Sequence, residues 1–353
     1  MNKPLIAVTM GDPAGVGPEI IVGAWTDAAL HGRCRAFAVG HTEVLRRAVR
    51  LLRLPIEVCE ISRPEDAAPS PEKLPCLRSG SDDAAATPAA KVDPRGGQAA
   101  YDSLLAAAEL AKRGRVDAIV TAPLHKAALH AAGHHYPGHT ELLAEFCGIP
   151  PDDVAMMLYL APSDTVRGRG GLGVAHVTLH TALRKVFGLL SEERIVASAH
   201  LASTVARAFL DNDSSRPRIG VAALNPHGGE QGLFGDEEER IIRPAVERGI
   251  AEGLDLTGPL PCDTLMVRAA AGDFDAVVAM YHDQGHIALK LLGMHRAVNI
   301  TLGIPIIRTS VAHGTAFDLA WQGRAETSSM VEAIRVAAQL VAQRENLVWK
   351  KPV

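Results

Sequence analysis

Fifteen of the 353 residues are histidine, and three of them stand just beyond stretches that read as strands. His180 closes the run His176-Val177-Thr178-Leu179-His180. His227 lies in Asn225-Pro226-His227-Gly228-Gly229-Glu230, and His282 in Met280-Tyr281-His282-Asp283-Gln284-Gly285. In open α/β sheets, ligands bind beyond the carboxyl ends of the strands. Three neutral imidazoles converging there would hold a divalent cation and leave one position open for substrate. One histidine alone reads as an ordinary surface or core residue. His176 reads as a buried polar or supporting residue, and Asp283 as a carboxylate that fixes an imidazole tautomer.

A second set suits an anion. His139-Thr140 follows Pro137-Gly138, and Asp263-Thr264 follows a proline-rich turn. Lys290, Asn299 and Arg308 come at even spacing in a segment of mixed strand and turn character. A fork, a point charge and neutral donors together match a carboxylate or phosphate. Each residue singly also reads as a surface cap or ion-pair member. Two turns could meet a nucleotide through backbone N–H groups. One is Gly11-Asp12-Pro13-Ala14-Gly15-Val16-Gly17-Pro18-Glu19; the other is His313-Gly314-Thr315-Ala316-Phe317-Asp318, read as opening a helix that Thr315 could cap. The first turn has neither the G-x-G-x-x-G spacing nor a Gly-Lys-Ser/Thr ending, so it is neither a Rossmann fingerprint nor a P-loop. Without those patterns, a tight strand-to-helix turn is its plain alternative.

The elements that must position these residues alternate along the chain. Leu5–Met10, Ala36–Gly40, Val116–Thr121, Val154–Leu160, Leu172–Thr178, Arg218–Ala223 and Ala276–Met280 read as buried strands. Helices are expected from Pro18 to about Leu30 and at Val44–Leu52, Gln98–Lys112, Glu192–Leu210, Glu237–Glu252 and Thr327–Gln343. That alternation predicts an α/β chain with a mainly parallel sheet. Arg63–Pro94, rich in Pro, Ala, Ser and Asp, reads as a surface excursion with a short edge strand or two. Arg167–Gly173 reads as a turn before a strand, since no helix follows it as a phosphate loop would require.

Composition removes other classes. Lys and Arg total 36 against 40 Asp and Glu, a net charge of −4, which argues against a nucleic-acid partner. No apolar run reaches the roughly 18 residues of a membrane span, and the first apolar stretch is too short for a signal peptide. Five scattered cysteines without a C-x-x-C pair suggest a reducing compartment, so a cytoplasmic protein is expected.

Taken together, GDPAGVGPE, TAPLHK, PGHTE, NPHGGE, MYHDQG and VNITLGIPIIRTSVAHGTAFDLA closely resemble the 4-hydroxythreonine-4-phosphate dehydrogenase family of vitamin B6 biosynthesis. The likeness runs from about residue 4 to 342. The HGTA turn also looks like the nucleotide turn of isocitrate and isopropylmalate dehydrogenases. The resemblance implies their non-Rossmann fold, with two α/β/α domains and a cleft between them. The nucleotide-side domain is expected at 1–130 plus 290–353, and the metal, substrate and dimerisation domain at 131–289. It implies NAD- or NADP-dependent oxidation of a secondary alcohol beta to a carboxylate, followed by loss of CO2. The substrate would be 4-(phosphooxy)-L-threonine and the product 3-amino-2-oxopropyl phosphate. His180, His227 and His282 match the ligands of one divalent metal (zinc, magnesium or cobalt), in a site shared across a homodimer interface. His139, Thr140, Lys290, Asn299 and Arg308 match substrate contacts. Lys290, His282 and Asp263 are the catalytic candidates, and Gly11, Asp12, His313, Gly314 and Thr315 those for the cofactor. The Ala127-Ala128-Leu129-His130 run, HVTLH and HDQGHIALKLL look more like a catabolic branch. That branch acts on D-threonate or D-erythronate 4-phosphate, and a relative acts on the cis-dihydrodiol of terephthalate. A non-catalytic binding protein on the same fold is the alternative from another class, and the intact histidine set with Lys290 speaks against it.

Overall fold

The computed structural model describes residues 3–150, 153–210, 216–344 and 347. Twelve strands are found among them: β1 Leu5–Thr9, β2 Arg35–Gly40, β3 Glu57–Ile61, β4 Lys73–Arg78, β5 Ala118–Thr121, β6 Ala155–Leu160, β7 Leu172–His176, β8 Arg218–Ala222, β9 Asp255–Leu260, β10 Ala276–Ala279, β11 Val298–Leu302 and β12 Ile307–Val311. The chain divides into two compact units, Met1–Pro151 with Ile304–Ala342, and Asp152–Gly303 with Gln343–Val353. Those crossings fall later than the expected 130 and 290. The helix His139–Cys147 belongs to the first unit, where it packs on the helix Pro94–Lys112. The helix His282–Gly293 packs on β6 and β7 and belongs to the second unit.

In the first unit the strand order is β3-β4-β2-β1-β5-β12, and neighbouring strands run parallel. β1 is wholly buried, as its unbroken Leu-Ile-Ala-Val-Thr run requires of a parallel strand covered on both faces. The expected helix from Pro18 is two helices, Gly17–Ala24 and Ala28–Arg33. Asp27 starts the second by accepting the Ala29 N–H at 2.8 Å. The 63–94 stretch contributes β4, which is internal because it pairs with both β2 and β3; the edge is β3. Pro94 and the Asp93 carboxylate start the long helix Pro94–Lys112.

In the second unit the order is β11-β6-β7-β10-β8-β9. β7, β10, β8 and β9 run parallel, and β6 runs antiparallel to both β11 and β7. Ser191 caps the helix Glu192–Ala208 through the Arg194 N–H. The helix expected at 237–252 opens with one wide turn at Glu238–Ile242 and becomes α-helical at Arg243–Ala251. Pro244 has no N–H to continue a regular ladder there. The turn at His313 opens no helix: residues 317–323 form turns, and the last helix starts at Ser328. Among the described residues no helix is long and apolar enough to cross a membrane.

Candidate active site

In the first unit the strand order reverses direction between β1 and β5, with β2 on one side and β12 on the other. Loops at the carboxyl ends of such neighbours diverge and leave a crevice. The loop after β1 is tied to the loop after β5 by Asp12 N–H donating to the Pro123 carbonyl at 2.9 Å. It is tied to the turn after β12 by Val16 N–H donating to the Thr315 carbonyl at 3.0 Å. The structure thus brings Gly11, Asp12, Gly314 and Thr315 onto interlocked loops, as a cofactor cradle needs. His313 is held by its own turn and by Ser329 Oγ, 3.0 Å from Nε2.

Two buried polar atoms in these loops have no hydrogen-bond partner, Asp12 Oδ2 and His125 Nδ1. The His125 ring stacks on Phe317, centroids 4.7 Å apart. Asp12 is fully buried, and its Oδ1 accepts only the Ala14 N–H at 2.8 Å. A Cβ on Gly96 would lie 2.4 Å from that oxygen, so only glycine lets the 93–97 turn close over it. Burial raises the Asp12 carboxyl to about 6, helped by the Asp93 charge and opposed by the Ala14 N–H. The residues fit a polar ligand such as a nucleotide, because a buried, half-satisfied carboxylate is costly without one.

That cost has a pH sign. A carboxyl raised from 3.8 to about 6 favours the fold while protonated, and this contribution is lost as pH rises through 6. The full effect is on the order of 3 kcal/mol. Asp12→Asn is therefore expected to gain stability over the wild type at pH 7.5 and little at pH 4, read from urea midpoints at the two values. Equal differences at both pH values would refute the assignment.

The anion set of the first unit centres on Arg308. The residue is 3% exposed, and its guanidinium donates through Nε and Nη2 to Thr121 Oγ1 at 3.2 and 2.6 Å. Burial lowers its pKa to about 10, against the pull of Glu141, so it stays a cation at neutral pH. His139 begins the helix His139–Cys147, with Thr140 in the same first turn. Enclosure of its ring and then the Arg308 charge hold His139 well below the usual imidazole range, while a bond to the Ala122 carbonyl pulls the other way. A neutral imidazole beside a buried cation suits an anionic oxygen. Thr121, Glu141 and His125 are not predicted from sequence, because strand neighbours separated by nearly 190 residues leave no local pattern.

In the second unit β7, β10 and β8 are adjacent and parallel, so His180, His227 and His282 all follow strands at one edge of the sheet. Only two of the three meet. The His180 and His282 rings lie 5.8 Å apart by centroid. Among the described residues no three His, Cys, Asp or Glu side chains are placed to hold one metal ion, so the trio 180, 227 and 282 is not assembled within this chain. The reason lies in the loop after β8. Residues 227–231 all have left-handed backbone, including the non-glycines His227, Glu230 and Gln231. The buried Glu238 carboxylate holds the base of that loop by accepting the Leu224 and Asn225 N–H groups, both at 2.7 Å. His227 stays exposed, its ring 6.2 Å from that of Phe234.

His282 is the first residue of the helix His282–Gly293, and its Nδ1 lies 2.6 Å from Asp283 Oδ1. The carboxylate can only accept, so Nδ1 carries the proton, which directs Nε2 of a neutral ring toward the role of a metal ligand. The pair His180 and His282, with Asp283 behind, fits half of a divalent-cation site. Lys290 lies two turns along the same helix, half-buried, and Asn299 lies in β11. Asp263 is exposed in the first turn of Cys262–Ala271, where its carboxylate accepts the Thr264 N–H at 2.7 Å. The structure gives it this local contact.

Two α/β units, one with a parallel and one with a mixed sheet, with polar sets beyond the strand ends define an α/β enzyme with a small-molecule site. A family model described as pyridoxal phosphate biosynthetic protein PdxA matches residues 32–337. D-threonate 4-phosphate dehydrogenase of Pectobacterium atrosepticum is 46% identical over 342 residues, covering 96% of this chain and 100% of the relative. 4-Hydroxythreonine-4-phosphate dehydrogenase of Trichlorobacter lovleyi is 45% identical over 345 residues, covering 97% and 99%. The crystal structure of 4-hydroxythreonine-4-phosphate dehydrogenase from Klebsiella pneumoniae superimposes with a TM-score of 0.83 at 44% identity, covering 96% of this chain and 98% of that one. The protein is a dehydrogenase, and that class implies a nicotinamide cofactor. The chain belongs to the PdxA family.

Proposed function

We propose that the protein oxidises 4-(phosphooxy)-L-threonine at its secondary hydroxyl with NAD or NADP, and that the resulting beta-keto acid loses CO2 to give 3-amino-2-oxopropyl phosphate. The observation that carries this reading is the meeting of His180 and His282 beyond β7 and β10, in a chain of this family. When bound, a divalent cation lowers the pKa of an alcohol oxygen and polarises a carbonyl, and the nicotinamide accepts the hydride. The chain's own residues position and hold. His180 and His282 offer imidazole nitrogens to zinc, magnesium or cobalt, and His227 of the partner subunit completes the set. Arg308, His139, Thr140 and Asn299 grip the anionic oxygens of the substrate. Lys290 holds an anionic end or moves the hydroxyl proton. Asp12 and the turns at Gly11 and His313–Thr315 take the cofactor.

A homodimer is part of this reading, since one chain does not assemble the trio. Ile287, Leu291 and Met294 form an exposed apolar stripe at i, i+4 and i+7 from the helix that starts at His282, with Leu291 83% exposed. Leu233 and Phe234, beside the His227 loop, are exposed as well. A stripe continuous with metal-binding residues is the surface a second copy would cover.

A second substrate reading, D-threonate or D-erythronate 4-phosphate, is favoured by the likeness to the Pectobacterium enzyme and by His286 in HDQGHIALK. The deciding test is reduced-nicotinamide formation with each phosphate, with and without chelator. No signal from any candidate in the presence of zinc, magnesium or cobalt would overturn the reading.

A further inference from the structure

Two more imidazoles stand behind His282. His286 follows it by one helical turn and is 7% exposed, and His176 ends β7 and is 2% exposed. His286 Nδ1 lies 3.1 Å from His176 Nε2. His176 Nδ1 lies 3.4 Å from the Met156 carbonyl. A carbonyl only accepts, so a neutral His176 ring carries its proton on Nδ1. His176 Nε2 must then be bare in order to accept from His286. One hydrogen-bonded chain therefore runs from β6 through His176 to His286. A Cβ on Gly285 would lie 2.5 Å from His176 Nε2, so glycine is what lets the helix approach this chain.

The anchored His286 ring lies flat on His282. Their centroids are 3.8 Å apart and their planes 11° apart. Asp283, by contrast, is an exposed residue and offers His282 a carboxylate but no wall. We infer that His286, held by His176, is a positioning residue: it fixes the plane of the His282 ring, while Asp283 fixes its tautomer. The inference rests on His282 being a site imidazole, as proposed above.

The test uses the full-length protein and zinc alone as probe. His286→Asn keeps an N–H that can donate to His176 and removes the stacked ring. Zinc affinity by calorimetry is expected to fall about 10- to 100-fold, as for other groups that orient a ligand. The histidine ring NMR signals of the metal-free protein should show His282 averaging between orientations, and kcat should fall more than KM rises. Should this variant not fold, His176→Leu removes the anchor and leaves His286 in place, with changes in the same direction. Wild-type zinc affinity and unchanged His282 signals would overturn the inference. His282→Ala separates the two readings. If it binds zinc like the wild type, the site reading fails. If it loses zinc while the His286 variant does not, the positioning role alone fails.

Discussion

His282→Ala is expected to leave the protein folded and to lower kcat/KM by at least about a hundredfold, beyond the loss typical of a group that only orients a metal ligand. The side chain is 36% exposed at the start of a helix, so its removal opens no deep cavity. It deletes a stacked ring and one bond to an exposed carboxylate, a loss of roughly 1 kcal/mol. The chemistry loses far more, because His180 would be left as the one imidazole of the trio that this chain places there. Thermal melting, zinc content and reduced-nicotinamide formation read the three parts separately. Wild-type turnover would remove His282 from the site.

The second large effect is expected at Arg308. A buried cation gripping an anionic substrate contributes on the order of 2–5 kcal/mol when its loss leaves the partner charge unpaired. Arg308→Ala should therefore raise KM for the phosphorylated substrate by about 30-fold or more, with a smaller change in kcat. Stability should respond differently. Burial already lowers the pKa of this guanidinium to about 10, so the folded state carries a desolvated charge at neutral pH. Replacing such a charge by an apolar side chain of similar volume is often neutral or stabilising. Arg308→Met is thus expected to melt near the wild-type temperature while keeping the KM defect. Unchanged KM and kcat in both variants would disprove the assignment.

The proposed sites lie where the fold tolerates unfavourable electrostatics. Asp12, raised by burial with one oxygen unsatisfied, and Arg308, lowered by burial, sit at the carboxyl ends or along the strands of the same parallel sheet. Neither position makes sense as a stabilising device alone. The left-handed loop carrying His227 belongs with them, since strain at a non-glycine residue persists only where surroundings such as Glu238 enforce it.

Much of this was legible without coordinates. Apolar runs such as Leu-Ile-Ala-Val-Thr and Ala-Val-Val-Ala specify buried parallel strands, because burial on both faces leaves no room for polar alternation. The histidines after β7, β8 and β10 could be placed at one sheet edge, since parallel strands all end on the same side. The spacing 282, 286 and 290 also marks one helix face, a local signal that could have singled out His286. Only the tertiary structure decided the rest. Strand order is set by packing between distant segments, so the meeting of Thr121 with Arg308, the internal place of β4 and the junction of the β1 and β5 loops leave no local trace. Which nitrogen of His176 carries the proton depends on a carbonyl brought in from β6, and the His286 ring then donates from Nδ1 to the other nitrogen. The failure of His227 to join His180 and His282 within one chain is likewise a matter of loop geometry. Residue types and spacing determine which chemistry is available; through-space contacts determine which of those groups share one site.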